Sequence, residues 1–137
     1  MIIMHTTNYH NTFITVADDC PVTVAEIPPQ KTEKTAANIA FEMINTHPYQ
    51  YTSDEVLFEI YVLKNNVLES NREVEKQKYF SKEQACFRSS PLTKRYGWGV
   101  HHNAEGKMAL YAVESVEYEK FLQDKRLKIV KAMRSKR

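Results

Sequence analysis

The chain has 137 residues, 42% of them hydrophobic and 26% charged, and its net charge is +2. That length fits one domain, residues 1–137, with a single core, and the composition is ordinary for a soluble globular protein. No apolar run approaches the ~20 residues of a membrane span, and the opening MIIMHTTNYH lacks the basic region and long apolar stretch of a secretory signal; a cytoplasmic protein without a membrane partner is expected.

The small net charge hides a split. Residues 1–62 carry two cations, Lys31 and Lys34, against eight acids, whereas residues 63–137 carry seventeen cations against nine acids. The basic charge is densest at Lys125, Arg126, Lys128, Lys131, Arg134, Lys136 and Arg137. Such a block is either solvated surface or a site for phosphates or an acidic partner, and it can also join the acidic half of the same chain or of a second copy. Cys20 and Cys86 have no CxxC spacing. They are expected as reduced, buried thiols, with a disulfide between them as the alternative.

In chain order, TFITVA (12–17) is β-branched and predicts a strand, followed by a loop punctuated by Pro21, Pro28 and Pro29. Ala36, Ala37, Ala40, Phe41 and Ile44 recur at helical spacing and predict a helix over 33–46, with Thr32 as N-cap and Pro48 as its stop. Thr52 and Glu55 fit a capping box, and Tyr51 with Val56 a hydrophobic staple. They favour a helix over 53–64, although VLFEIYVL is rich in strand formers. A second capping box, Ser70 to Glu73, leads into a polar helix through about Tyr79, and Ser81 with Gln84 starts one further short turn. SSPLTK is predicted as a loop. Ser115 caps a helix with Tyr118, Phe121 and Leu122 on its apolar side. LKIVKAM predicts a last strand, with a helix as the alternative.

Between these lies RYGWGVHH (95–102), which with the loop after it holds all three glycines: Gly97, Gly99 and Gly106. Strands over 96–102 and 107–113 predict a hairpin with a four-residue loop, 103–106, and Gly106 at its positive-φ position. That register places Tyr96, Trp98, Val100, Tyr111 and Val113 on one face. Gly97 and Gly99 leave a trough on the other, beside His101. Either a helix fills the trough, the alanine-rich one being the candidate, or a ligand does. The fold class that results is α+β: a small antiparallel sheet with a central β-hairpin, about 96–113, packed against three to four helices.

Arg88, Lys94 and Arg95 have no acid between them and follow or flank Ser89 and Ser90. Arginine's planar fork suits phosphate or carboxylate. The ligand-binding expectation is therefore Arg88, Ser89, Ser90, Lys94, Arg95, Tyr96, Trp98, His101 and His102, for an anionic small molecule or for single-stranded nucleic acid stacked on Tyr96 and Trp98. An enzyme using His101, His102 or Cys86 as acid–base or nucleophile is the alternative, and a protein-interaction or homo-oligomeric module is a third. No cofactor is expected, since GWG is not GxGxxG and no P-loop is present. No metal is expected, since adjacent strand histidines point to opposite faces and cannot readily share one ion; His5, His10 or His47 could join one of them in space, but nothing in the sequence shows it. Asp18 and Asp19 are adjacent loop acids, expected to be solvated rather than to act as an acid–base pair.

NTFITVADDCPV, YTSDEVLFEIYVL, FRSSPLTKRYGWGVHH and the terminal KAMRSKR together resemble a family of small bacterial proteins catalogued only as a domain of unknown function. The likeness covers nearly the full length, and SSPLTKRYGWG is its most specific motif. It implies a bacterial, single-domain protein without a signal, and carries no activity, cofactor or catalytic residue.

Overall fold

The computed structural model describes residues 4–136. It contains β1 (Thr12–Thr15), α1 (Ala36–Thr46), α2 (Ser53–Lys64), α3 (Arg72–Phe80), α4 (Pro91–Lys94), β2 (Trp98–His102), β3 (Met108–Ala112), α5 (Val116–Leu122) and β4 (Lys128–Lys131). Single 3₁₀ turns precede α3 and α4. The fold is α+β, with five helices on a four-stranded mixed sheet in the order β3-β2-β1-β4. The hairpin forms one side of the sheet rather than its centre. β1 is interior, antiparallel to β2 and parallel to β4. All four β1 residues are buried because both faces of the sheet are covered there.

The helix starts show which local signals dominate. α1 begins three residues later than the spacing predicts, at Thr35 instead of Thr32. Thr35 accepts from the Asn38 N–H, and the Asn38 side chain accepts from the Thr35 N–H. The buried Asn38 amide also donates to the Pro28 and Pro29 carbonyls, so this cap ties the proline loop to the helix. α2 has the predicted bounds and capping box. Its run of strand formers is explained by two buried faces. Val56 joins the main core, while Phe58 and Val62 pack with Phe80 of α3 in a second cluster. Before α3, the predicted Ser70–Glu73 box is absent: Asn71 stands at the N-cap without a side-chain bond. No turn begins at Ser81; Gln84 instead donates to the Tyr79 carbonyl. SSPLTK is not a loop. Ser90 caps α4 and Pro91 occupies its first position, where a missing N–H costs nothing.

The hairpin register differs from prediction by one residue. His102 pairs with Met108, Val100 with Leu110 and Trp98 with Ala112. The loop is therefore 103–107. The Asn103 side chain accepts from the Glu105 and Lys107 N–H groups, standing in for a backbone acceptor and accommodating the extra residue. Gly106 adopts φ +82°, as expected. A one-residue slip turns a strand over, so Tyr111 leaves Trp98's face and joins Phe13, Gly99 and His101 on the other.

The main core lies on the Ile14, Val100 and Met108 face, under α1, α2 and the 87–92 segment. The glycine trough on the opposite face is filled by protein, and by α5 rather than α1. A Cβ on Gly99 would lie 2.5 Å from Phe13 Cζ and 2.7 Å from Tyr118 Cε2. Gly97, at φ +82°, lies against Val22 and Ala25 of the proline loop.

Candidate functional site

His101 and His102 are neighbours whose surroundings differ completely. His102 faces the main core. It is fully buried against the Tyr9 ring, and neither ring nitrogen has a hydrogen-bond partner among the described residues. Burial, with smaller contributions from the charges of His101 and His10, pushes its pKa down to about 3.

His101 faces α5. Phe121 stacks on its ring at 4.4 Å, and its Nδ1 lies 2.8 Å from the Tyr49 hydroxyl. That hydroxyl is also 2.8 Å from the Tyr111 hydroxyl. Tyr49 belongs to the α1–α2 connection, 47–52, which runs along the free edge of β3. Its N–H donates to the Met108 carbonyl, and the Met108 N–H returns a bond to the Tyr51 carbonyl. The Tyr49 ring reaches around that edge to the far face. Its backbone sits at φ +62°, a left-handed conformation that costs a non-glycine residue about 1–2 kcal/mol. Burial, then the Tyr111 hydrogen bond, raises the Tyr49 pKa, so its proton stays on at neutral pH.

His101 lines a 420 Å³ pocket with Asn11, Asn103, Ala104, Phe121, Asp124, Arg126 and Leu127. Arg126, Asn103 and His101 are lining groups with some polar atoms held by the protein. Arg126 pairs with Asp124 through Nε (3.1 Å) and Nη2 (3.0 Å), which fixes the guanidinium and leaves its outer edge unused. Asn103 spends its oxygen on the hairpin loop and keeps its NH₂. Among the described residues the His101 Nε2 has no hydrogen-bond partner, yet, unlike the His102 nitrogens, it is not sealed from solvent. Hydrogen bonds from Arg126 hold the Asp124 carboxyl below its ordinary range. Burial lowers the His101 pKa, with Asp124 opposing.

The other expected ligand residues are dispersed. Arg88 donates its Nε to the Lys131 carbonyl, Ser89 donates to Met133 Sδ, and Ser90 is the α4 cap. Lys94 and Arg95 close α4 with no carboxylate within ion-pair distance among the described residues. Trp98 donates to the Glu26 carbonyl and packs on Phe41, and Tyr96 packs on the main core. Neither shares His101's face. Cys86 and Cys20 are free thiols, both half-buried rather than buried. Cys86 lies 3.2 Å from the Tyr9 hydroxyl and lines a 160 Å³ apolar cleft, so its observed partner is a tyrosine and not a histidine. Burial first, then Cys86, pushes the Tyr9 pKa up to about 12.

A larger groove of 610 Å³ runs between the N-terminal segment, α2 and α3. Several of its charges are already spent: Glu59 on Arg72, Asp54 on Thr6 and Thr7, Glu55 on the α2 cap. Asp18 and Asp19 hold the C-terminal segment. Asp18 lies 3.3 Å from Lys131, and Asp19 accepts from the Ser135 and Lys136 N–H groups. The acidic and basic halves thus meet within one chain. Among the described residues no group of three His, Cys, Asp or Glu side chains is placed to hold a metal, and no helix is long and apolar enough to cross a membrane.

Tyr49, Tyr111 and Asp124 carry no site signal in the sequence, and Arg126 stands there only as one cation of the C-terminal basic block. Tyr49 carries no motif, and Tyr111 was hidden by the register error. No curated protein and no solved structure matches the chain. Over residues 4–137 it matches the family described as a family of unknown function, DUF6157, and it belongs to that family.

Proposed function

We propose that this protein binds a small phosphate- or carboxylate-bearing molecule in the pocket beside His101, as a soluble cytoplasmic protein of a bacterial cell. The carrying observation is that His101, Asn103 and Arg126 line one 420 Å³ pocket, while the Asn103 NH₂ and the outer edge of the Arg126 guanidinium are not spent on the hydrogen bonds that hold these side chains. Charge-assisted donors to an oxyanion are the strong hydrogen bonds of such sites. The site keeps His101 from the 88–102 segment and adds Arg126 to it. Arg88, Ser89 and Ser90 already have structural partners.

The reading is tested by titrating sulfate and formate into the wild type, followed by amide NMR. Saturable shifts at His101, Asn103 and Arg126 are expected, lost in His101→Ala and Arg126→Ala and kept in Lys94→Ala and Arg95→Ala. Loss in the α4 variants alone would move the site to that surface. An oligonucleotide that binds there with an affinity falling steeply with salt would identify nucleic acid as the ligand. The absence of any saturable shift ends the anion reading. No second copy is required by the charge split, because Asp18 and Asp19 answer the basic segment within the chain.

A further inference from the structure

We infer that His101, Tyr49 and Tyr111 form a proton relay that charges the pocket when its anion arrives, an inference that rests on the anion-binding reading of the same pocket. The motive is the unbroken run of contacts from the pocket, through His101, to Tyr49 Oη and on to Tyr111 Oη, with both hydrogen-bond steps at 2.8 Å. Tyr111, at the far end, is half-buried rather than sealed in the core. A left-handed tyrosine is not a conformation that a connection adopts for its own stability. Here it delivers one hydroxyl to the point where it touches both partners.

The neutral and charged states each satisfy every atom of the chain. In the neutral state with the proton on Nε2, Tyr111 O–H donates to Tyr49, and Tyr49 O–H donates to Nδ1. In the charged state Nδ1–H donates to Tyr49, Tyr49 O–H donates to Tyr111, and Tyr111 O–H turns to solvent. One shift joins them. A solvent proton bonds to the Tyr111 oxygen, whose own proton passes to Tyr49, whose proton in turn passes to Nδ1. Each hydroxyl loses one proton and gains one, so the net change is one proton moved from solvent to the imidazole. The raised Tyr49 pKa agrees with this, since the phenol passes a proton on without resting as phenolate.

The groups around the ring are Tyr49 from the α1–α2 connection, Tyr111 from β3, Phe121 from α5, and Asp124 and Arg126 from the segment after it. Asn11 and Asn103 complete the pocket. Asp124 is the carboxylate that acts on the imidazole, favouring its charged form, and it is itself paired with Arg126. An oxyanion beside Nε2 would add to Asp124 and draw the proton in.

The test uses two readouts on the intact chain: the protonation midpoint of His101 by ¹⁵N-imidazole NMR without ligand, and sulfate affinity against pH. Sulfate does not itself titrate in this range. In the wild type, affinity should fall about tenfold per pH unit above the midpoint. Tyr49→Phe leaves Nδ1–H without an acceptor, and Tyr111→Phe removes the acceptor that Tyr49 needs in the charged state. Both should lower the midpoint by about one pH unit. A merely structural role would weaken sulfate equally at every pH and leave the midpoint in place. Unmoved midpoints in both variants overturn the relay even if sulfate binds. A wild type that binds no sulfate overturns the anion reading even if both midpoints move.

Discussion

The two faces of β2 handle the same side chain in opposite ways. On one face His101 has a ring stacked on it, a hydroxyl on one nitrogen and a pocket at the other. On the other face His102 has full burial and, among the described residues, no partner for either nitrogen. Chain order makes them neighbours, and the alternation of the strand makes them strangers. The difference lies in what each face is packed with. The His101 face is built from aromatic side chains, two of which, Tyr49 and Tyr111, bring hydroxyls with them. The His102 face is the apolar core, which offers no polar partner. An unsatisfied buried imidazole costs free energy, so His102 is a weak point of the fold, while His101 has a hydrogen-bond partner on Nδ1.

The largest expected effect is in acid. The pKa of His102 is about 3 when folded, against an ordinary 6.5. Above pH 6.5 it is neutral in both states and the full stability is present. Between pH 6.5 and 3 the unfolded chain takes up a proton that the folded protein refuses, so stability is lost as the pH falls, by about 1.4 kcal/mol per unit. His102→Met removes that slope. At neutral pH it should be neutral or slightly stabilising, since no hydrogen bond is lost. Denaturant unfolding at pH 7 and pH 4 should bring the variant ahead of the wild type by several kcal/mol at the lower pH. The difference between the two profiles isolates His102 from Asp19 and Asp124, whose lowered pKa values also cost stability in acid. Parallel profiles would mean that His102 is charged in the folded state.

The next effect belongs to the other face. Gly99→Ala places a methyl 2.5 Å from the Phe13 ring, which is itself buried, T-shaped on Tyr118 and stacked on Phe121. Neither ring can move without moving the wall behind His101, so a cost of about 1–3 kcal/mol is expected. If thermal unfolding shows the loss while the His102 acid slope is unchanged, the two faces respond independently. A change in that slope would show that they are coupled through the strand.

The asymmetry was only partly legible in the sequence. Cap and turn chemistry is local and partly legible: the Thr52–Glu55 box, the Ser115 cap and the left-handed Gly106 are present, whereas the Ser70–Glu73 box is absent and Thr35 rather than Thr32 caps α1. The prediction that His101 and His102 part to opposite faces also needed only the strand period. Failures came where a side chain replaces a backbone partner. Asn38 caps α1 from inside, and Asn103 adds a residue to the hairpin loop, and neither looks special in a string of letters. The pocket needed more than local rules. Tyr49 meets His101 only because the α1–α2 connection runs along the edge of β3, and no spacing between residues 49 and 101 encodes that.

The smallest effect tests the device that decides the faces. The Asn103 side chain accepts from the Glu105 and Lys107 N–H groups, so the loop closes with His102 opposite Met108. Asn103→Ala removes the one oxygen that accepts both bonds, but the loop is open to water, which replaces much of the loss. About 1 kcal/mol is expected in thermal unfolding. The register itself should survive, because a slip by one residue would turn Tyr111 away from Phe121 and bury its hydroxyl toward Trp98 without Tyr49. Side-chain NOEs decide the matter. Tyr111–Phe121 contacts in the variant mean that packing on the His101 face holds the hairpin in place. Tyr111–Trp98 contacts would mean that one asparagine sets which face carries the tyrosine and, with it, whether His101 has a relay at all.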